Sequence, residues 1–265
     1  GEEIAEPLVD RIRESCTGTI VPEVHVESGL EYYALKNFGA DLVTGDILVF
    51  LDCDVWPDEG WLDYLLGTFS DNAICAVAGQ PYVKPVDLFS RAFSLGWTYD
   101  LPDPDGRLYN STKFYANNVA FITDLYREYS FPQLKRRTRG SAALLGEQLM
   151  EIGHPVWTNC RALVDHPAPS GWKHLAVRAL AHGRDMYMLR SEERSTEGLS
   201  RCQKAAGSRL SRAFRRIRDD WRKVGLRRLE ILPALLINVC YYGLFSLGGL
   251  MTHVSPVIMG HRFRL

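Results

Sequence analysis

The chain has 265 residues, 46% hydrophobic and 24% charged, with no low-complexity tract. That composition allows one large globular domain or two small ones and excludes a disordered or collagen-like chain. The formal net charge of −1 hides a division, since residues 1–170 carry a net −12 and residues 171–265 a net +11. Such asymmetry points to an anionic partner, either nucleic acid or a membrane face. Six scattered cysteines, with no C-x-x-C pair, fit reduced and packed thiols in a cytosolic compartment.

Ile4, Leu8 and Ile12 recur every four positions, so residues 2–15 are expected to form a short amphipathic helix. Val21, Val24 and Val26 suggest a strand around 19–27, with Pro22 limiting its start. Residues 30–44 are expected to be helical, with an apolar stripe of Leu30, Tyr33, Ala34 and Phe38. The unbroken apolar run Ile47–Leu51 predicts a central strand buried on both faces, as in a parallel sheet. Pro57 and Asp58 are expected to start the next helix, and ICAVAGQ (74–80) to form a second buried strand. This alternation argues for an α/β layered fold. Residues 85–110, with DLPDPDG at 100–106, are read as loop-rich and hence as a binding loop. FYANNVAFI (114–122) and then a helix–strand pair ending in RALVDHP (161–167) complete this part.

After Gly171 the chain changes character. Leu210, Phe214, Ile217, Trp221 and Val224 share one helical face, and Arg201 to Arg228 hold eleven basic and two acidic residues. The Arg density favours a helix lying at a membrane interface. Ile231 to Met251 then carry no charge, enough to cross a hydrocarbon core of ~30 Å at about 1.5 Å per residue. The expected organisation is a domain over 1–170, a basic helical juxtamembrane segment over 171–228, and a transmembrane helix with a short tail over 229–265. The basic block is expected on the cytoplasmic side against anionic lipid, with the domain facing the cytoplasm and no nucleic acid as partner. A buried hairpin of a soluble core is the alternative.

Asp52-Cys53-Asp54 sits at the end of the first buried strand, where open α/β sheets place ligands. Two carboxylates two residues apart repel unless a cation lies between them, and Mg²⁺ or Mn²⁺ takes such oxygens together with substrate phosphates. The alternative is a carboxylate pair capping the following helix.

GADLVTGDILVFLDCDVWPDEGWLDYLL (39–66) resembles the centre of family 2 glycosyltransferases, and AVAGQPYV (76–83), YANNVAFI (115–122) and LVDHP (163–167) resemble later family segments in order. The resemblance implies a GT-A (nucleotide-diphospho-sugar transferase) fold, a nucleotide-sugar donor, a divalent cation (Mn²⁺ or Mg²⁺) and a saccharide, lipid or protein acceptor. It implies Asp54 as principal metal ligand, Asp52 at the ribose, donor sugar or metal, Asn117 and Asn118 at the sugar, and His166 at a phosphate or the metal. Two departures stand out. The family's opening strand–helix–strand unit is expected to be missing, leaving the GT-A fold truncated at its N-terminus. The family's Glu-Asp, counted back from Gly153, falls near Ser141 and Ala142, which leaves Glu147 as the candidate catalytic base. Two other readings stay open, a non-catalytic scaffold with the same core at the membrane and, more remotely, a haloacid-dehalogenase-type phosphatase.

Overall fold

The computed structural model describes residues 10, 11, 14, 22–134, 140–188 and 196–255. Most of the expected helix over 2–15 lies outside these residues, although 10, 11 and 14 are helical. Residues 22–27 form no strand, and 19–21 lie outside the described residues. The first long helix, α1 (Tyr32–Asp41), leads into β1 (Ile47–Leu51). β2 (Trp56–Pro57), α2 (Trp61–Gly67), β3 (Ala76–Tyr82) and α3 (Leu88–Gly96) follow. Then come β4 (Leu108–Ser111), β5 (Asn118–Ile122), α4 (Thr123–Glu128), α5 (Ser141–Glu151) and β6 (Val156–Asp165). Three helices end the described chain: α6 (Gly171–Met188), α7 (Thr196–Asp220) and α8 (Ile231–Val254).

The strands form one mixed sheet in the order β1-β5-β3-β6-β2, with β4 also paired to β6. Only β3 and β6 run parallel; the other pairs are antiparallel. The expectation of a central β1 is therefore corrected: among the described strands β1 stands at the end of the sheet. Leu48 and Phe50 face an aromatic core with Phe121, Tyr126 and Phe131, while Ile47 and Val49 are half-buried against the cluster of Leu65, Ile74, Val77, Ala120 and Ala162. A five-residue apolar run reads the same in both settings, because two unequal half-burials also require apolar residues on both faces.

Two boundaries also differ. Pro57 belongs to the sheet edge opposite Val164, and α2 begins only after Gly60, whose left-handed φ of 73° turns the chain. The stretch 85–110 is loop over 97–107, but α3 interrupts it. Asp87 accepts from the Ser90 amide and Ser90 from the Asp87 amide, a reciprocal cap that starts the helix. α6 falls within the 171–228 segment expected to be helical.

α8 packs on α3, α6 and α7, so the C-terminal helices share a core with the preceding α/β layer. Phe93, Trp97, Tyr241, Tyr242 and Phe245 are fully buried there. α6 and α8 approach closely because glycines face each other's backbones. A Cβ on Gly183 would stand 1.9 Å from the Phe245 carbonyl oxygen, and one on Gly248 2.2 Å from that of Leu180. Gly248→Ala is expected to lower stability by about 1–3 kcal/mol, read from thermal or denaturant unfolding, because backbone must move to admit the methyl. An unchanged midpoint would show that the two helices are not held at this spacing.

Candidate active site

The site begins with backbone hydrogen bonds that gather three strand ends. The Asp52 amide donates to the Asn117 carbonyl at 3.2 Å, joining the end of β1 to the start of β5. Trp56 pairs with Asp165, and the His166 amide donates to the Tyr82 carbonyl at 2.8 Å. The Asp52–Asp54 turn thus meets the end of β6.

The two aspartates have different surroundings. Asp52 accepts from Lys36 Nζ at 2.7 Å and from the Tyr32 hydroxyl at 2.8 Å, and Lys36 is only 11% exposed. Lys36 also lies 5.1 Å from the Phe50 ring centroid. Burial and then the charge of Asp52 push the Tyr32 phenol far above its usual range, so it stays a donor. Asp54 is 51% exposed, and its Oδ2 lies 3.7 Å from His166 Nε2.

His166 is buried, between Trp97 and Tyr99 at centroid distances of 5.4 and 5.2 Å. Its Nδ1 is 3.0 Å from the Pro167 carbonyl, which can only accept, so Nδ1 carries the proton and Nε2 presents a lone pair. Burial, and after it the positive charge of Arg178, lowers the His166 pKa and keeps the ring neutral. Arg178 NH2 is 3.4 Å from Nε2, and its guanidinium lies 4.8 Å from the Trp97 ring centroid.

Asn117 and Asn118 diverge. Asn117 is 6% exposed and donates to the Tyr99 hydroxyl at 3.4 Å, while its Oδ1 has no hydrogen-bond partner among the described residues. Asn118 is fully buried and braces the sheet. The β3–β6 register shifts between Gly79 and Gln80, and Asn118 Nδ2 donates to the Ala162 carbonyl within that irregularity. Its Oδ1 accepts from Trp61 Nε1 at 2.8 Å, and Gly79 leaves room for it, since a Cβ there would stand 2.3 Å from Nδ2. Glu147 is exposed on α5, while Ser141 and Ala142 are buried where that helix begins.

Sequence reasoning missed the second wall of the cleft. Arg212 donates to the Trp97 carbonyl at 2.8 Å, Arg216 donates to that of Tyr99 at 3.0 Å, and Arg216 also pairs with Asp100. Part of the basic block on α7 therefore holds the 97–100 segment against His166 and is not available to lipid. Of the apolar face expected over 210–224, Ile217 and Val224 are buried and Phe214 is exposed. Nothing local in the sequence pairs Arg212 and Arg216 with carbonyls more than a hundred positions away.

A cation suits the donors present. A neutral imidazole nitrogen and a half-exposed carboxylate oxygen, 3.7 Å apart, are within reach of one ion at bond lengths of roughly 2.0–2.2 Å. Among the described residues no group of three His, Cys, Asp or Glu side chains gathers, so an ion here would need substrate or water oxygens. Asp52, already neutralised by Lys36, is less suited as a ligand.

Comparison with known proteins adds three findings. The model of "Glycosyl transferase family 2" matches residues 7–133, which include the Asp52–Asp54 turn that the phosphatase alternative also drew on. "Pre-mycofactocin glycosyltransferase" from two strains of Mycobacterium tuberculosis is 47% identical over 45 residues, covering 17% of this chain and only 10% of those proteins. A mannosyltransferase from Pyrobaculum calidifontis, solved in complex with GDP-Man and Mn²⁺, aligns over 87% of this chain and 68% of its own at 14% identity, with a TM-score of 0.49. His166 and Arg178 lie beyond the matched segment. Residues 7–133, a little under half of the chain and the part that carries β1, the Asp52–Asp54 turn and both asparagines, belong to glycosyl transferase family 2.

Proposed function

We propose that the protein transfers a sugar from a nucleoside-diphosphate donor to an acceptor hydroxyl, with the diphosphate seated between Asp54, His166 and Arg178. The observation that carries this reading is the Asp54–His166 pair at 3.7 Å with Arg178 behind it, at the strand ends of a family 2 segment. Asp54 Oδ2 and His166 Nε2 would hold Mn²⁺ or Mg²⁺, whose charge stabilises the departing diphosphate. Arg178 adds positive charge beside the same imidazole nitrogen that Asp54 approaches, and its stacking on Trp97 fixes the guanidinium. Asn117 Oδ1, buried without a partner, accepts from a donor hydroxyl. Asp52 keeps Lys36 and Tyr32 in place beneath the donor. Asn118 serves as a strut.

Glu147 is the proposed general base, supported by its exposed carboxylate on the helix that corresponds to the family's acceptor side. The buried Ser141 and Ala142 in place of two carboxylates favour a second reading, a scaffold that binds donor without turnover. Full-length protein assayed with a panel of UDP- and GDP-sugars, with and without chelator, separates the two. Glu147→Gln is expected to cut transfer about 10²-fold or more while donor binding stays constant. An unchanged rate removes Glu147 from the mechanism.

Membrane association is part of the proposal. Arg228–Val254 is one helix long and apolar enough to cross a bilayer by length and composition. The arginines that precede it fit a cytoplasmic, anionic leaflet.

A further inference from the structure

The helix that is long enough to cross a bilayer is packed along one whole side by protein. Ala234, Ile237, Asn238, Tyr241, Tyr242, Phe245, Gly248, Gly249 and Thr252 are buried on that side. Asn238 donates to the Ala92 carbonyl at 3.1 Å and Tyr242 to that of Gly96, so mid-helix is fastened to α3 and through it to the cleft. α7 runs antiparallel beside it. Cys202 would touch a Cβ on Gly249, Arg209 lies 5.3 Å from the Phe245 ring centroid, and Trp221 shares a groove with Ile231 and Leu235. The outer face of α7 carries exposed charges from Lys204 to Arg222.

The opposite side of α8, with Leu229 just before it, carries an apolar stripe. Leu229, Leu232, Leu236, Val239, Leu247, Leu250 and Val254 recur every three or four positions, with a break at Gly243, and are 91, 64, 54, 42, 43, 43 and 61% exposed. Exposed apolar surface of that extent marks an interaction face. At its N-terminal end Phe214, Ile217, Trp221, Ile231 and Leu235 line a groove of about 470 Å³, with Arg215 and Arg218 in its wall. Of the nine basic and three acidic side chains over 209–230, Arg212 and Arg216 are held by the 97–100 segment, while Arg215, Arg218, Arg222, Lys223, Arg227 and Arg228 are exposed.

We infer that α8 lies flat on an anionic bilayer, embedding only this stripe, and does not cross it. The inference rests on the membrane association proposed above and decides its geometry. A perpendicular helix would carry α3 and the charged face of α7 into hydrocarbon, where each charge is costly. A parallel helix immerses apolar side chains alone and leaves the arginines at headgroup level, the arrangement of interfacial helices. The Asp54–His166 cleft then stands a few side chains from the lipid, linked through Trp97 and Tyr241, which are hydrogen-bonded at 3.1 Å.

The test places single cysteines at 232, 239, 247 and 254 of the full-length protein, with Cys16, Cys53 and Cys240 replaced by serine. An environment-sensitive fluorophore on each is quenched by nitroxide lipids of known depth in vesicles of phosphatidylcholine with phosphatidylglycerol. The inference expects one shallow depth at all four positions. A depth that runs from one leaflet to the other keeps the membrane association and overturns the flat geometry. Absence of quenching, with no flotation of the protein with vesicles, overturns both. Absence of quenching with flotation retained means that a second copy or the tail over 256–265 covers the stripe, and also overturns the flat geometry. Leu236→Glu with Leu247→Glu, both on exposed positions, is expected to weaken vesicle binding roughly ten-fold or more with the unfolding midpoint unchanged.

Discussion

Asp54→Ala is expected to lower sugar transfer about 10²-fold or more, about 3 kcal/mol of transition-state stabilisation, and to leave the unfolding midpoint in place. Negative charge grows on the diphosphate as the glycosidic bond breaks, so the group that holds the compensating cation matters more in the transition state than in the ground state. The fold should not notice the change, because Asp54 is half-exposed and its carboxylate stands 3.7 Å from His166. Asp54→Asn keeps the size and removes the charge, and is expected to be nearly as damaging. The adjacent carboxylate supplies the control. Asp52→Ala strands Lys36, which is 11% exposed, beside an unbalanced Tyr32 hydroxyl. It is expected to cost about 2–3 kcal/mol of stability, a loss that Asp54→Ala does not show. Steady-state transfer rates and denaturant unfolding on the same variants check both halves. Equal stability losses would mean that the two aspartates share one structural role.

Arg178→Ala is expected to reduce kcat/KM for the donor about 10–100-fold. The guanidinium faces His166 Nε2 at 3.4 Å and is spread over Trp97, so it brings positive charge to the imidazole nitrogen that Asp54 also approaches. Arg178→Lys keeps the charge but not the flat, fork-shaped donor set or its stacking, and is expected to recover only part of the loss. Full recovery by lysine would reduce the role of Arg178 to net charge. A loss confined to stability, with kcat/KM intact in the folded fraction, would make it a packing residue of the α3–α6 contact.

Much of the α/β layer was legible because its signals are local. Ile47–Leu51, ICAVAGQ and RALVDHP carry their apolar runs within single strands, and the Asp52–Asp54 pair announces itself at a strand end. The capping pair Asp87 and Ser90 was equally local, and reading 85–110 by its prolines hid it. The position of β1 in the sheet was not legible, since pairing partners depend on β5, some seventy residues later. The site followed the same division. His166 and Asn117 could be pointed to by motif, but Lys36, Arg178, Arg212 and Arg216 act through contacts made only after the chain folds back. The divergence of Asn117 and Asn118 also needed the structure, because it depends on an irregular β3–β6 register that exposes the Ala162 carbonyl to one amide and not the other.

Titration of the full-length protein with Mn²⁺, followed by electron paramagnetic resonance with and without UDP or GDP, tests the central claim most directly. Two protein ligands alone should hold the ion weakly, whereas a diphosphate completes its shell. The account predicts a bound-ion signal that strengthens markedly when the nucleoside diphosphate is present and is lost in both Asp54→Asn and His166→Ala. A bound-ion signal that is indifferent to the nucleotide, or that survives Asp54→Asn, would contradict it.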